Sequence, residues 1–213
     1  MKNEFLTKVF GWMFLGLLIT FGSGYIASLD INMIQNIFSG PTYIILMIAE
    51  IVIAIFLSSR IHKLSAATAT CLYLFYTFLT GLTFSSIFVA YKMTSIVVIF
   101  LVAAMLFGIF TLIGKYTKID LSKMSTFLTM GVIGIIILSI INLFVASGTL
   151  NLIGAVIGLI VFIGYTAYDI QNITNINNEV GNRNLAIIAA FSLYLDFINI
   201  FIDLLRLFGD SKD

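Results

Sequence analysis

Apolar residues in this chain gather into long blocks separated by short polar breaks, with no sustained alternation. A membrane-crossing helix needs about 20 apolar residues. Seven blocks approach that length: Val9–Ala27, Thr42–Leu57, Ala66–Tyr91, Thr94–Ile113, Met124–Val145, Leu150–Tyr168 and Leu185–Leu207. With one proline in the whole chain, the blocks predict helices. An outer-membrane barrel would instead need short segments of alternating polarity. The second block is the shortest, and "SGPTY" (39–43) predicts its start, with Ser39 as cap and Pro41 near the first helical position. Connections are short except the polar "QNITNINNEVGNRN" (171–184), and no repeat or second domain is visible. The pattern predicts one seven-helix domain over residues 1–213.

Composition places that domain in a membrane. The chain is 61% hydrophobic and 10% charged, with a mean hydropathy of +1.12. Soluble domains carry roughly 25% charged residues, and a soluble fold of this length could not hide so much apolar surface. The first block has no clear small-x-small cleavage site after it, so it is expected to be a retained span. Cys71 is the only cysteine, which excludes an intrachain disulfide and a cysteine metal cluster. In an apolar run it reads as small hydrophobic filler. A net charge of +1 says little about partners, and no basic block points to nucleic acid, so no nucleic-acid partner is expected.

Basic residues set the expected orientation. Eight lie on one side of the predicted spans (Lys2, Lys8, Arg60, Lys63, Lys115, Lys118, Lys123 and Arg183) and three on the other (Lys92, Arg206 and Lys212). The bias predicts a cytoplasmic N-terminus, and seven spans then put the C-terminus outside. "GAVIG" (154–158) spaces two glycines one turn apart, a pattern that lets another backbone approach closely. "NIT" (172–174) matches a glycosylation acceptor but falls on a loop expected in the cytoplasm.

Four acids interrupt the apolar blocks: Glu50, Asp169, Asp196 and Asp203. An acid at a helix centre costs about 2.5–3.5 kcal/mol on insertion scales, so each needs a partner, a proton or an aqueous cavity. Asp196, Asn199 and Asp203 recur at i, i+3 and i+7, forming one polar stripe on the last helix. Asp203 has a ready partner in Arg206, three residues on, which can snorkel to the interface. Asp169 closes its span beside a polar loop. Asp196 lies roughly 16 Å into its helix at 1.5 Å per residue and is the best functional candidate. For Glu50 the plain reading is a protonated carboxyl bonded to a neighbouring helix. Arg60 reads as a positive-inside residue and His62 as a solvated loop residue.

Three segments go beyond pattern. "YTAYDIQNI" (165–173) and "AAFSLYLDFINIFIDLLRLFG" (189–209) resemble the transmembrane Bax inhibitor motif family, also called the Bax inhibitor-1 family. "YTFLTGLTFSSIF" (76–88) is similar to it too, as is an acid in span two followed by a basic residue at its end, here Glu50 and Arg60. The nearest likeness is to small bacterial members that leak calcium. The resemblance implies an all-α membrane fold of seven transmembrane helices, with two three-helix layers around a central C-terminal helix. It implies an aspartate pair, Asp169 and Asp196, as proton sensor and calcium site, with Arg60 as a latch onto Asp169. Glu50, Asn199, Asp203 and Arg206 remain secondary polar candidates.

The implied chemistry is physically sensible. Two carboxylates held about 3 Å apart cannot both ionise freely and share a proton. Their oxygens also suit a hard cation, but calcium takes about 6–8 oxygen ligands, so two carboxylates make a weak, partial site. Weak binding is what conduction requires. The expected function is a pH-regulated calcium leak channel in a bacterial plasma (inner) membrane, acting on calcium and protons within the lipid bilayer and needing no cofactor. Two other readings stand beside it: an interaction protein that modulates membrane proteolysis or stress responses, and a proton-coupled transporter. A retinal protein would need a lysine in the last helix, and Leu185–Leu207 has none. No serine, cysteine or histidine constellation suggests an enzyme.

Overall fold

The structure is a computed structural model that describes residues 2–60, 64–175 and 183–212, the side chains of Lys2, Asn3, Arg60, Arg183 and Asn184 excepted. Its elements are α1 (Lys2–Ser28), α2 (Ile31–Phe38), α3 (Pro41–Arg60), α4 (Ala66–Ala90), α5 (Met93–Tyr116), a 3-10 turn (Leu121–Met124), α6 (Ser125–Val145), α7 (Gly148–Asn175) and α8 (Arg183–Phe208). Seven of the helices are long and apolar enough to cross a membrane. They are the seven expected from the apolar blocks, most of them extended at the ends where polar residues continue the backbone bonding.

The short α2 is the one helix that the block pattern misses. Asp30 caps it, accepting from the Asn32 N–H at 2.8 Å and the Met33 N–H at 3.4 Å. Ser39 was expected to open the second span, but it closes α2, its N–H donating to the Gln35 carbonyl at 2.8 Å. Gly40 then turns at φ +67, a region glycine enters freely, and Pro41 begins α3 as expected.

The helices group into two compact units. One holds α1 to α4 and the first half of α8, through Tyr194; the other holds α5, α6, α7 and α8 from Leu195 onward. Each therefore contains three long helices and half of α8. In the first unit α1 packs mainly on α4, and α3 also packs on α4. Tyr73 fills the seam between α1 and α4: it is fully buried, and its hydroxyl donates to the Trp12 carbonyl at 2.8 Å. Its ring meets Phe191 and Tyr194 of α8 edge-on, with centroids 6.3 and 6.1 Å away. The C-terminal tail returns to α4, where the Lys212 Nζ donates to the Phe88 carbonyl at 2.8 Å and the Lys212 N–H to the Ala90 carbonyl at 2.8 Å. A cation on the last carbonyls of a helix satisfies orphan acceptors and opposes the helix dipole.

In the second unit α7 packs on both α5 and α6. The close backbone approach expected at "GAVIG" occurs elsewhere, at Gly114 of α5. A Cβ there would stand 2.8 Å from the Ala167 Cα and 2.9 Å from its carbonyl carbon. Gly154 instead faces the side chain of Leu138, and Gly158 faces Asp203. Beyond α5 the chain is tied to the end of α7 by Gln171, whose Oε1 accepts the Leu121 N–H and whose Nε2 donates to the Ile119 carbonyl, both at 2.8 Å. Between them Asp120 caps the 3-10 turn. Its carboxyl is held below the usual range by the Ser122 hydroxyl and then the Ser122 N–H.

Burial separates the helices. Within the apolar window of α8, 72% of residues are buried, against 6% for α3 and for α6. Isoleucines exposed along α3 (44, 48, 55) and α6 (133, 137, 140) suit contact with lipid tails. Two stability predictions follow. Gly114→Ala overlaps the α7 backbone and should lower Tm, at a cost of about 1–3 kcal/mol for overpacking. Ala146 ends α6 in the left-handed region at φ 49, so Ala146→Gly should raise Tm by relieving roughly 1 kcal/mol. Thermal unfolding of the purified protein in detergent measures both.

Candidate functional site

The candidate site lies on the second half of α8 and the facing part of α7. Asp196 is 5% exposed, and its Oδ2 is buried with no hydrogen-bond partner. Phe197 beside it is edge-on to Phe100 and Phe107 of α5, with centroids 5.2 and 5.7 Å apart. The charged group facing Asp196 is Asp169, near the end of α7. The structure thus brings together the two acids that the resemblance pairs. The approach of Gly114 to Ala167, two residues before Asp169, fixes the turn of α7 that carries that acid.

The rest of the stripe is divided between two kinds of partner. Asn199 turns back onto its own helix, its Nδ2 donating to the Leu195 carbonyl at 2.7 Å. Asp203 is 5% exposed. Its Oδ1 lies 3.5 Å from the Arg206 Nη1, and the arginine side chain is 43% exposed. This is the pairing expected from sequence, with the cation toward the surface and the acid within. Its carboxylate occupies the space a side chain at Gly158 would need. The second glycine of "GAVIG" therefore accommodates a buried acid, not a helix backbone. Gly158→Ala should push Asp203 off α7, and crosslinking of cysteines placed on α7 and α8 reads that displacement directly.

Glu50 sits on α3, in the first unit. Its Oε1 is buried without a hydrogen bond, although the hydroxyls of Thr83 and Thr80 on α4 lie beside the carboxyl. The side chain of Arg60, at the last residue of α3, and the whole of His62 lie outside the described residues.

Sequence reasoning did not single out the hydroxyl groups of the first unit. The Thr20 Oγ1 donates to the Thr77 carbonyl at 2.8 Å and meets the Tyr194 hydroxyl at 2.6 Å. Thr20, Thr77 and Tyr194 are all fully buried. The available signal was the recurrence of threonine at 77, 80 and 83 inside an apolar span. Among the described residues, no three His, Cys, Asp or Glu side chains gather as a metal cage. The pair Asp169 and Asp196 offers two carboxylates, enough for a passing cation and too few for a tightly held one.

Comparison with known proteins covers the whole length. The family described as "Inhibitor of apoptosis-promoting Bax1" matches residues 2–213. The chain is 40% identical over 217 residues to "Inner membrane protein YbhL" of Escherichia coli (strain K12), covering 99% of this chain and 93% of that protein. It is 40% identical over 219 residues to an uncharacterized protein of Borreliella burgdorferi, covering 100% of this chain and 94% of the relative. An uncharacterized protein of Rickettsia prowazekii is 37% identical over 217 residues, with 99% and 91% covered. On this full-length agreement, with seven membrane-length helices, the chain belongs to the Bax inhibitor-1 family of membrane proteins.

Proposed function

We propose that the chain is a pH-regulated calcium leak pathway in a bacterial inner membrane, with Asp169 and Asp196 as its proton-responsive ion site and its N-terminus in the cytoplasm. One observation carries the reading. Asp196 is buried on the most buried of the seven helices, has an oxygen without a hydrogen bond, and faces a second carboxylate. A structural acid would be expected to end in a partner of opposite charge or a set of donors. Two facing carboxylates instead create a place where a proton or a cation lowers the energy. The inner-membrane relative supports the location, and the excess of basic residues at one side supports the orientation.

The ion is cargo here. The carboxylates would replace part of its water shell, and the remaining ligands would be water and backbone carbonyls. Acid adds a proton to the pair and weakens its hold on calcium. It also weakens the latch expected from Arg60, which favours opening. These effects oppose each other, so flux against pH passes through a maximum.

Calcium flux into liposomes carrying the purified protein tests the reading. Asp196→Asn keeps the volume and removes the charge, and it should cut flux by about 10–100-fold while leaving Tm near the parent's. Undiminished flux in a folded Asp196→Asn protein would remove Asp196 from the ion path. Liposomes sealed to calcium at every pH would favour an interaction protein. Arg60→Ala should leave the pathway open more often at high pH, measured as flux across roughly pH 5–9. A full parental pH dependence in Arg60→Ala would dismiss the latch and leave the aspartate pair as sole sensor.

A further inference from the structure

The first unit contains a second oxygen-lined centre, independent of the aspartate pair, around Thr80. Five hydroxyl side chains of α4 fold back on the preceding turn. Thr70 bonds the Ala66 carbonyl, Thr77 that of Leu74, Thr83 that of Thr80, Ser85 that of Leu82 and Ser86 that of Thr83, at 2.5 to 2.9 Å. Thr80 does not. Its Oγ1 is buried with no hydrogen-bond partner, and the residue is 4% exposed. Its neighbours are the Glu50 carboxyl, the Tyr76 phenol and the Tyr194 phenol. Thr80 thus turns its oxygen toward a carboxyl and two phenols instead of toward its own helix.

Counting donors and acceptors shows what is missing. Thr20 donates its one hydroxyl proton to the Thr77 carbonyl, so in the short contact with Tyr194 the phenol must be the donor. Thr83 has likewise committed its proton to the Thr80 carbonyl. Both oxygens therefore turn only lone pairs toward the centre. Glu50 adds a carboxyl whose Oε1 is buried and unbonded. With Glu50 ionised, acceptors exceed donors: only the Thr80 and Tyr76 hydroxyl protons remain, and a proton or a cation at the carboxylate would complete the centre. Among the described residues, no basic side chain stands beside Glu50 to correct the imbalance.

We propose that Glu50, Thr80, Thr83, Tyr76 and Tyr194 form a binding site for a small monovalent cation of the sodium type. All five donors are hard oxygens, which suit such ions. The charge selects the valence. One carboxylate neutralises one positive charge, whereas a divalent ion would leave a net charge in a low-dielectric setting, which is costly. Aspartates 169 and 196, with two carboxylates, suit calcium by the same count. The two sites are thus matched to different ions, and this one does not depend on the calcium reading. Bound, the ion would join Glu50 of α3 to Thr80 of α4 and Tyr194 of α8, cementing the first unit.

Thermal unfolding of the purified full chain, in sodium chloride against choline chloride at equal ionic strength, tests the site. A ligand that binds only the folded state raises Tm with its concentration. Tm should rise and saturate with sodium in the parent and in Asp169→Asn and Asp196→Asn. The rise should vanish in Glu50→Gln and shrink in Thr80→Val, which keeps the carboxyl and the side-chain shape. Should Glu50→Gln fail to fold, Thr80→Val and binding of radioactive sodium to the parent decide the question. Equal Tm in sodium and choline for the parent would overturn the proposal and leave a proton on Glu50 as the occupant. A sodium-dependent rise of parental size in both Glu50→Gln and Thr80→Val would also overturn it. Loss of calcium flux with an intact sodium response, or the reverse, separates the two sites.

Discussion

Inside a bilayer there is no water to complete a carboxylate's hydrogen bonds, and the cost of burying one alone governs how this chain is built. A buried acid must find a cation, a proton, a set of donors or a wet cavity. Asp203 takes the first course, leaning on Arg206 at 3.5 Å with its carboxylate lodged over Gly158. Asp196 does not. It faces another acid and keeps an oxygen without a hydrogen bond. Edge-on phenylalanines from α5 pack against its helix, and Gly114 lets α5 press against the turn of α7 that carries Asp169.

The two units divide the problem. Each has three long helices and half of α8, and each half of α8 brings its own polar group to its own unit, Tyr194 to one and Asp196 to the other. In the first unit the polar groups are hydroxyls and one carboxyl; in the second they are paired carboxylates. Apolar outer faces on α3 and α6 suit the lipid, so the polar groups are turned toward protein and raise no conflict with the tails.

Much of this was readable from the sequence because membrane helices announce themselves by length and apolarity. All seven spans were visible, and Asp169 and Asp196 were named from the segments around them. The depth of Asp196 and its place on a stripe were legible from periodicity alone. Other features were not. The helix α2 is eight residues long, below the length a hydropathy block detects, so Ser39 was read as the start of the next helix when it ends this one. Two glycine contacts were misread for a related reason. "GAVIG" carries the spacing for close backbone packing, but spacing does not say what a glycine faces, and the real backbone approach uses the lone Gly114. The Thr80 centre was hidden because threonine in an apolar helix ordinarily satisfies itself on the preceding turn. Only the unused carbonyl marks it as different.

The central claim is that the polar stripe of α8 borders a path that water and ions enter. Site-specific thiol labelling measures this directly, since replacing Cys71 alone gives a cysteine-free background. Single cysteines placed at Asn199, Asp203 and, on the opposite face, Phe201 are then exposed to a membrane-impermeant thiol reagent in liposomes under conditions of calcium flux. The account predicts fast modification at 199 and 203, slowed by calcium, and none at 201, which is fully buried in the fold. Equal and slow reaction at all three positions would contradict it, because the stripe would then be sealed structural packing.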